Sequence, residues 1–366
     1  MKKISTNFNL IFNHLIDLYE NYRFKQNSYS LKGIELRNSL ERDIEEFEPQ
    51  RFELMNKLGN ITANFTEDER NIHREFIWNT DFHKHSQHAP FYWRIINKPS
   101  GYAGDAEMMN MIYRNDFEGV SPYGMFLHKH AVETKACEAV RNRREFLKNM
   151  LLAQAGGQIL SLAAGPAREI HDVLKINKGT NHYRFLALDH DIDTLRSAQG
   201  INEDNRCQYA IANAFQIIKG DFKIAKPIFI NFCNPQKDFK GLNKFLIYLK
   251  YKMQKLKQNH FDFVYSAGLF DYIKTFDDNS KGSIALTKNL FDLVKPGGKL
   301  IIGNFSNNNP KDLLFPMEYI YDWILIYRNK EEMLKLANAI PAKKISNIQV
   351  LEEPLGINYF LKITKK

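Results

Sequence analysis

The chain has 366 residues, room for about two domains with a core in each. Hydrophobic residues at 44% and charged residues at 25% match folded soluble proteins and exclude a disordered or fibrous chain. The net charge of +9, from 51 Lys and Arg against 42 Asp and Glu, invites nucleic acid as a partner. Yet the basic residues are scattered. Only Arg141, Arg143 and Arg144, and Lys250, Lys252, Lys255 and Lys257, cluster, and no zinc finger, RNA-recognition motif or long basic run is present. A solvated basic surface is the better reading.

The first residues, MKKISTNFNLIFNHLIDLYENY, interrupt their apolar positions with Asn, His and Asp, so they read as an amphipathic helix and not as a secretory signal. No run approaches the roughly 20 apolar residues of a membrane span. Cys137, Cys207 and Cys233 are odd in number and widely spaced, which argues against a disulfide framework and for a reducing, cytoplasmic setting. Residues 4 to 78 carry apolar positions at helical spacing with few turn signals, and predict a helical region. The aromatics Phe76, Trp78, Phe82, Phe91, Tyr92 and Trp93 either form its core or roof an apolar tunnel. HKHSQH (His83, His85, His88) lacks the partners of a metal site and reads as solvated or capping histidines.

From Ser86 to Tyr123 the composition shifts to Pro, Gly and aromatics. Val132, Ala136, Val140, Leu147 and Leu151 then suit one face of a long helix that begins near His128 and His130, and Arg143 falls on that face. A buried arginine there must find an anion or reach water. The second half alternates short apolar runs, QILSLAAG, YRFLALDHD, FDFVYSAG and GKLIIGNF, with helix-length stretches, which predicts parallel strands joined by crossover helices. ISNIQVLEE and INYFLKITK flank Pro354 and Gly356 and predict a closing antiparallel hairpin.

The first strand ends in ILSLAAGPAREI, where Ala163, Ala164, Gly165 and Ala167 allow a tight turn and close approach of a ligand to the next helix. The run is neither G-x-G-x-x-G nor a P-loop, which disfavours a nicotinamide or a nucleoside triphosphate. Asp189 ends the second strand, where a carboxylate can accept both hydroxyls of a ribose. Asp191 and Asp193 follow it and read as helix-capping charges. In AIANAF, Asn213 could meet an adenine amino group. FDFVYSAGLFDYI and LVKPGGKLIIGNF complete the set.

These segments together resemble the class I S-adenosylmethionine-dependent methyltransferases, from about residue 140 onward. Ser161 replaces the family's usual acid, and Ala163 and Ala167 replace two of its glycines. The resemblance implies an α/β fold with a Rossmann-like methyltransferase sheet over 146–366, behind an all-helical N-terminal domain or substrate lid over 1–145. It also implies S-adenosyl-L-methionine as cofactor and a basic residue, Arg143, facing the methionine carboxylate. The expected cofactor set is Arg143, Ala163, Gly165, Asp189, His190, Asn213, Ala214 and Ser266. No metal is expected.

A narrower resemblance rests on GYAGDAEMMNMIYRNDFEG, EAVRNRREFL, SLAAGPARE, YSAGLFDYI and MEYIYDWILIYRNKEEM. These look like the extracellular-factor methyltransferases, associated with the methyl ester of a hydroxylated long-chain fatty acid as a bacterial signal. A carboxylate acceptor, with a reference pKa near ~4, arrives ionised and needs positioning donors, not a base. Tyr272 and Arg328 lead that contact set, followed by Tyr102, Tyr113 and His128. Asp105 competes with a helix-capping role, and Trp323, Tyr327 and Arg328 are expected on a late helix. The implied partner is a small-molecule substrate, with no nucleic acid, no stable membrane insertion and a homodimer left open. The alternatives are a small-molecule N- or O-methyltransferase of secondary metabolism and a non-catalytic cofactor-binding regulator.

Overall fold

The computed structural model describes residues 3–179, 182–202, 204–227 and 251–366; Cys233 and Lys250 lie outside them, and Lys252 is described by its backbone alone. The chain divides into two compact units, Met1–Arg141 with Asn308–Ile324, and Asn142–Asn307 with Leu325–Lys366. The division thus falls inside a helix, α8 (Lys135–Gln154), and a segment from the C-terminal half joins the N-terminal unit.

The regular elements of the first unit's described residues are helices, with α1 (Thr6–Asn27), α2 (Gly33–Thr62), α3 (Glu67–Trp78), α4 (Asp81–Ser86), α5 (Pro90–Asn97), α6 (Ala106–Arg114) and α7 (Pro122–Glu133) in its N-terminal part. In α1, Phe8, Phe12, Leu15, Tyr19 and Tyr22 recur every three or four residues and are all buried, which is the pattern that holds an amphipathic helix to a core. Tyr19 meets Phe47 and Phe82 edge-on at 5.0 and 4.9 Å, and Tyr22 stacks on Phe126 at 5.5 Å. Thr66 and Glu69 close a capping box at the start of α3.

The Pro- and Gly-rich stretch from Ser86 to Tyr123 is largely helical as well. Pro90 and Pro122 occupy first-turn positions, where a missing N–H costs no hydrogen bond, and Asp105 caps α6 by accepting from the Met108 amide at 2.9 Å. The long helix expected from Val132 onward is broken. Thr134 is extended (φ −55°, ψ 154°), so Val132 belongs to α7, and His128 and His130 lie in the last turns of α7 instead of beginning the next helix.

The returning segment carries a helix, Lys311–Phe315, and a π-turn, Pro316–Ile320. It belongs here because its aromatic side chains complete this unit's core: Tyr321 stacks on Tyr92 at 4.3 Å, and the Trp78 Nε1–H donates to the Tyr319 carbonyl at 3.0 Å. Phe82, Phe91 and Tyr92 are core residues, whereas Trp93 is exposed.

The second unit is built on a sheet of nine described strands, β1 (Gly157–Leu162), β2 (Tyr183–Asp189), β3 (Cys207–Ile211), β4 (Lys223–Pro227), β5 (Tyr251–Lys255), β6 (Phe261–Ser266), β7 (Val294–Phe305), β8 (Ile345–Glu352) and β9 (Asn358–Lys365). Their order is β5-β4-β3-β2-β1-β6-β7-β9-β8. The pairs among β3, β2, β1, β6 and β7 are parallel, and β9 runs against both β7 and β8. The expected hairpin is therefore present. The antiparallel strands β4 and β5 were not anticipated, and Lys255 stands on the outermost of them.

Alternate residues of each strand feed opposite faces. Leu160, Leu162, Val264, Leu300 and Ile302 pack with Leu286 and Leu290 of the helix Gly282–Leu293, while Ile159, Phe263 and Ile301 pack with Leu147, Leu151, Ile170 and Val173 from α8 and α9 (Arg168–Ile176). Among the described residues no helix is long and apolar enough to cross a membrane.

Candidate functional site

Parallel strands end at one edge of the sheet, and the chain builds from β1 outward through β2 on one side before β6 takes the other side of β1. Ligands bind at such a switch point because the loops diverge there. The turn after β1 is built from left-handed residues: Ala163, Gly165 and Ala167 have φ of +55°, +54° and +49°. The Ala164 amide donates to the Leu188 carbonyl at 2.9 Å, and the Gly165 amide to Asp189 Oδ2 at 3.0 Å.

Ala163 and Ala167 thus share with Gly165 a left-handed conformation that glycine adopts freely. A side chain there is strained by roughly 1–2 kcal/mol, and the entropy that glycine adds to the unfolded chain offsets about half of that. Ala163→Gly is therefore expected to leave the melting temperature unchanged or raise it, whereas Ala164→Gly, where φ is not positive, lowers it. A lower melting temperature for Ala163→Gly would contradict the turn geometry.

Asp189 is 4% exposed. Its Oδ1 accepts from the Asp191 amide at 3.1 Å and lies 3.2 Å from His190 Nδ1, a contact that holds the exposed His190 above its usual titration range. Each carboxylate oxygen keeps acceptor capacity beyond these bonds. Asp191 caps α10 (Ile192–Ile201) through the Asp193 amide at 3.0 Å. Asn213 and Ala214 open the helix Ala214–Ile218, where exposed Asn213 is its N-cap.

Ser266 ends β6. It is fully buried, and its Oγ has no hydrogen-bond partner among the described residues. Arg143, 6% exposed on α8, donates from Nη1 to the Ala267 carbonyl at 3.3 Å, so this buried arginine reaches the same strand end. Small turn residues, an acceptor on β2, a cation and an unsatisfied hydroxyl at β6 are together a donor set that fits a nucleoside bearing an amino-acid tail.

Two acids absent from the sequence reading stand here. Glu169, in the first turn of α9, accepts from the Tyr265 hydroxyl at 2.7 Å, and Tyr265 pairs in register with Ser161; burial raises the Glu169 carboxyl. A carboxylate thus sits beside the position where the strand itself lacks one. Asp271, in the turn Phe270–Tyr272, accepts from the Phe305 amide at 2.7 Å, and burial pushes its carboxyl up to about 7 against the pull of Arg143. The signal for it was an acid inside the otherwise apolar run GLFDYI.

The raised pKa has a consequence for stability. The folded protein holds the Asp271 proton more tightly than the unfolded chain, so this contribution is complete below about pH 4 and is lost as pH rises through about 7. Asp271→Asn keeps an acceptor for Phe305 and cannot ionise. Its stability relative to the parent is expected to improve from about pH 4 to about pH 7, by an amount on the order of a few kcal/mol, and to level off above that. A pH-independent difference in denaturant titrations would refute this.

Tyr272 is 41% exposed, on the turn after β6. Arg328 is not on a helix. Residues 322–327 form no regular element, and Arg328 makes a single bridge with Ser306. It is 2% exposed, with Nη1 donating to the Phe270 carbonyl at 2.8 Å and to Asn304 Oδ1, and Nη2 to the Ile273 carbonyl at 2.7 Å and Thr275 Oγ1 at 3.1 Å. With both terminal nitrogens so committed, it holds the Phe270–Tyr272 turn in place of offering a substrate clamp. Trp323 and Tyr327 are likewise outside any helix.

Tyr102, Tyr113 and His128 belong to the helical unit. Tyr102 and Tyr113 are half-buried, while His128 is fully buried with neither ring nitrogen hydrogen-bonded among the described residues, and burial pushes its pKa down to about 4. His85 Nδ1 meets Glu20 Oε1 at 2.6 Å, His83 stacks on Trp78, and His88 is exposed. No group of three metal-ligating side chains occurs among the described residues.

Six strands of one direction, β3, β2, β1, β6, β7 and β8, with the reversed β9 inserted before the last of them, make the sheet of the Rossmann-like class I methyltransferase fold. Among solved structures, a possible exported protein from Bordetella parapertussis is similar at 14% identity over 71% of this chain and 79% of its own, with a TM-score of 0.50. A 1,6-didemethyltoxoflavin-N1-methyltransferase from Burkholderia thailandensis is similar at 14% identity over 61% of this chain and 78% of its own, with a TM-score of 0.35. A SAM-dependent methyltransferase from Aquifex aeolicus is similar at 14% identity over 60% and 88%, with a TM-score of 0.34. The likeness at a TM-score of 0.50 speaks to the fold alone and not to the reaction. No protein-family model and no curated protein matches the chain.

Proposed function

We propose that the chain is an S-adenosylmethionine-dependent methyltransferase whose acceptor is the carboxylate of a lipophilic small acid, a hydroxylated fatty acid in signal biosynthesis. The observation that carries the cofactor reading is the unsatisfied Ser266 hydroxyl, buried at the end of β6 on the same sheet edge as the Ala163–Ala167 turn and Asp189. When bound, S-adenosylmethionine supplies a methyl group activated by a sulfonium. Arg143 binds the amino-acid carboxylate, Asp189 the ribose, and Asn213 and Ala214 the base, while His190 flanks the ribose acceptor.

Ser266 donates at the strand end, and the small residues of the turn admit the cofactor backbone. Tyr272, exposed beside the same edge, orients the acceptor. A carboxylate is ionised at neutral pH, so alignment and exclusion of water carry the rate. Buried free thiols at Cys137 and Cys207 are consistent with a reducing, cytoplasmic setting.

Calorimetry with S-adenosylmethionine tests the cofactor reading, and absence of binding would sink it. Incubation with hydroxylated fatty acids, followed by mass detection of one added methyl, tests the acceptor. Binding without methyl gain would leave a smaller metabolite as the acceptor.

A further inference from the structure

Arg143 on α8 is buried at the carboxyl edge of the sheet within electrostatic reach of two buried acids, Glu169 on α9 and Asp271 in the turn after β6. Its guanidinium lies against the end of β6, since a Cβ on Gly268 would stand 3.1 Å from Nη1.

The two acids differ in what they have left to offer. On Glu169, the pull of Arg143 ranks behind the Tyr265 hydrogen bond and Arg144. On Asp271, Arg143 is the strongest charge, and Arg328 is the other that acts. Asp271 Oδ1 accepts from the Phe305 amide, while Oδ2 has no hydrogen-bond partner among the described residues and is not closed off from water. The turn that carries it is fixed. Arg328 donates to the carbonyls of Phe270 at 2.8 Å and Ile273 at 2.7 Å, and the Ile326 amide donates to the Asp271 carbonyl at 2.8 Å.

The carboxylate and ammonium of an amino-acid tail share one carbon, so a carboxylate held by Arg143 brings its ammonium to the same strand end. The open acceptor there with a charge to offer is Asp271 Oδ2. An ammonium at that oxygen favours the ionised carboxyl over the protonated one.

We propose that Asp271 accepts the α-ammonium of the cofactor and gives up a proton in doing so, which ties cofactor binding to pH. The inference rests on the cofactor reading above. The carboxyl O–H bond breaks, the proton passes to solvent, and the carboxylate pairs with the ammonium. Because burial holds the free carboxyl at about 7, about half of the molecules carry that proton at pH 7 and nearly all do at pH 5.5.

Calorimetric titration of the full chain with S-adenosylmethionine, in buffers of different ionisation enthalpy, counts the protons. The parent is expected to release about half a proton at pH 7 and close to one at pH 5.5, and to bind about tenfold more weakly at pH 5.5 than at pH 7. Asp271→Asn is expected to bind about tenfold more weakly than the parent at pH 7 and to lose this release, whereas Glu169→Gln keeps it. The exposed His190 beside Asp189 titrates alike in all three, so the difference between parent and variant is read. S-adenosylhomocysteine is expected to release the Asp271 proton, and its analogue without the α-amino group is not. Binding of S-adenosylmethionine without proton release, equal release in Asp271→Asn, or loss of release in Glu169→Gln alone would overturn the proposal and leave the cofactor reading standing. Absence of binding in the parent would sink both.

Discussion

Arg328→Met is expected to destabilise the protein by about 3–5 kcal/mol, the scale of a buried charge network losing one member. Four acceptors lose their donor at once: the carbonyls of Phe270 and Ile273, Thr275 Oγ1 and Asn304 Oδ1. Asn304 Oδ1 cannot turn to water, because Asn304 is fully buried, whereas exposed Thr275 keeps Ser283 Oγ at 2.8 Å. Asp271 also loses one of its two nearby cations and is held more firmly protonated. Arg328→Lys restores a charge without the planar fork and is expected to fall between. Urea unfolding measures both. A variant that keeps its full stability and shows only a raised KM for the acceptor would return Arg328 to the role of substrate clamp.

Asp189→Ala should weaken S-adenosylmethionine binding by about 30- to 200-fold, corresponding to roughly 2–3 kcal/mol for hydrogen bonds to an ionised acceptor. Part of the loss is indirect. Asp189 also holds the Gly165 and Asp191 amides, so its removal loosens the turn after β1 as well as the ribose contact. Asp189→Asn preserves the shape and one acceptor, and is expected to lose less affinity and less stability. Calorimetric titration of both variants, beside their thermal melts, separates the two contributions. Parental affinity in Asp189→Ala would mean that the cofactor does not use the end of β2.

Much of the architecture could be read ahead of the coordinates because its causes are local. The buried stripe of α1 and the apolar runs that place Leu160, Leu162 and Ile159 in the sheet follow from neighbours a few residues apart. The turn after β1 was legible for the same reason, since small residues between a strand and a helix leave few conformations.

Arg328 was misread because EYIYDWILIYR carries apolar residues at spacings that suit a helix. The backbone instead bonds to distant strands and turns, with the Ile326 amide donating to the Asp271 carbonyl at 2.8 Å and the Arg328 amide to Phe305 at 3.1 Å. No window of sequence contains both partners. The same holds for Asp271 and Glu169, whose burial depends on β7 and β6.

By itself the sequence determined the helical first part, the parallel strands with their closing hairpin, and the segments that make the sheet edge a cofactor candidate. Tertiary structure alone decided that Asn308–Ile324 returns to the helical unit, that β4 and β5 extend the sheet, and which charged side chains are buried. Propensity and periodicity act within a turn or a strand. Desolvation and long-range hydrogen bonding act between groups that only the completed fold brings together.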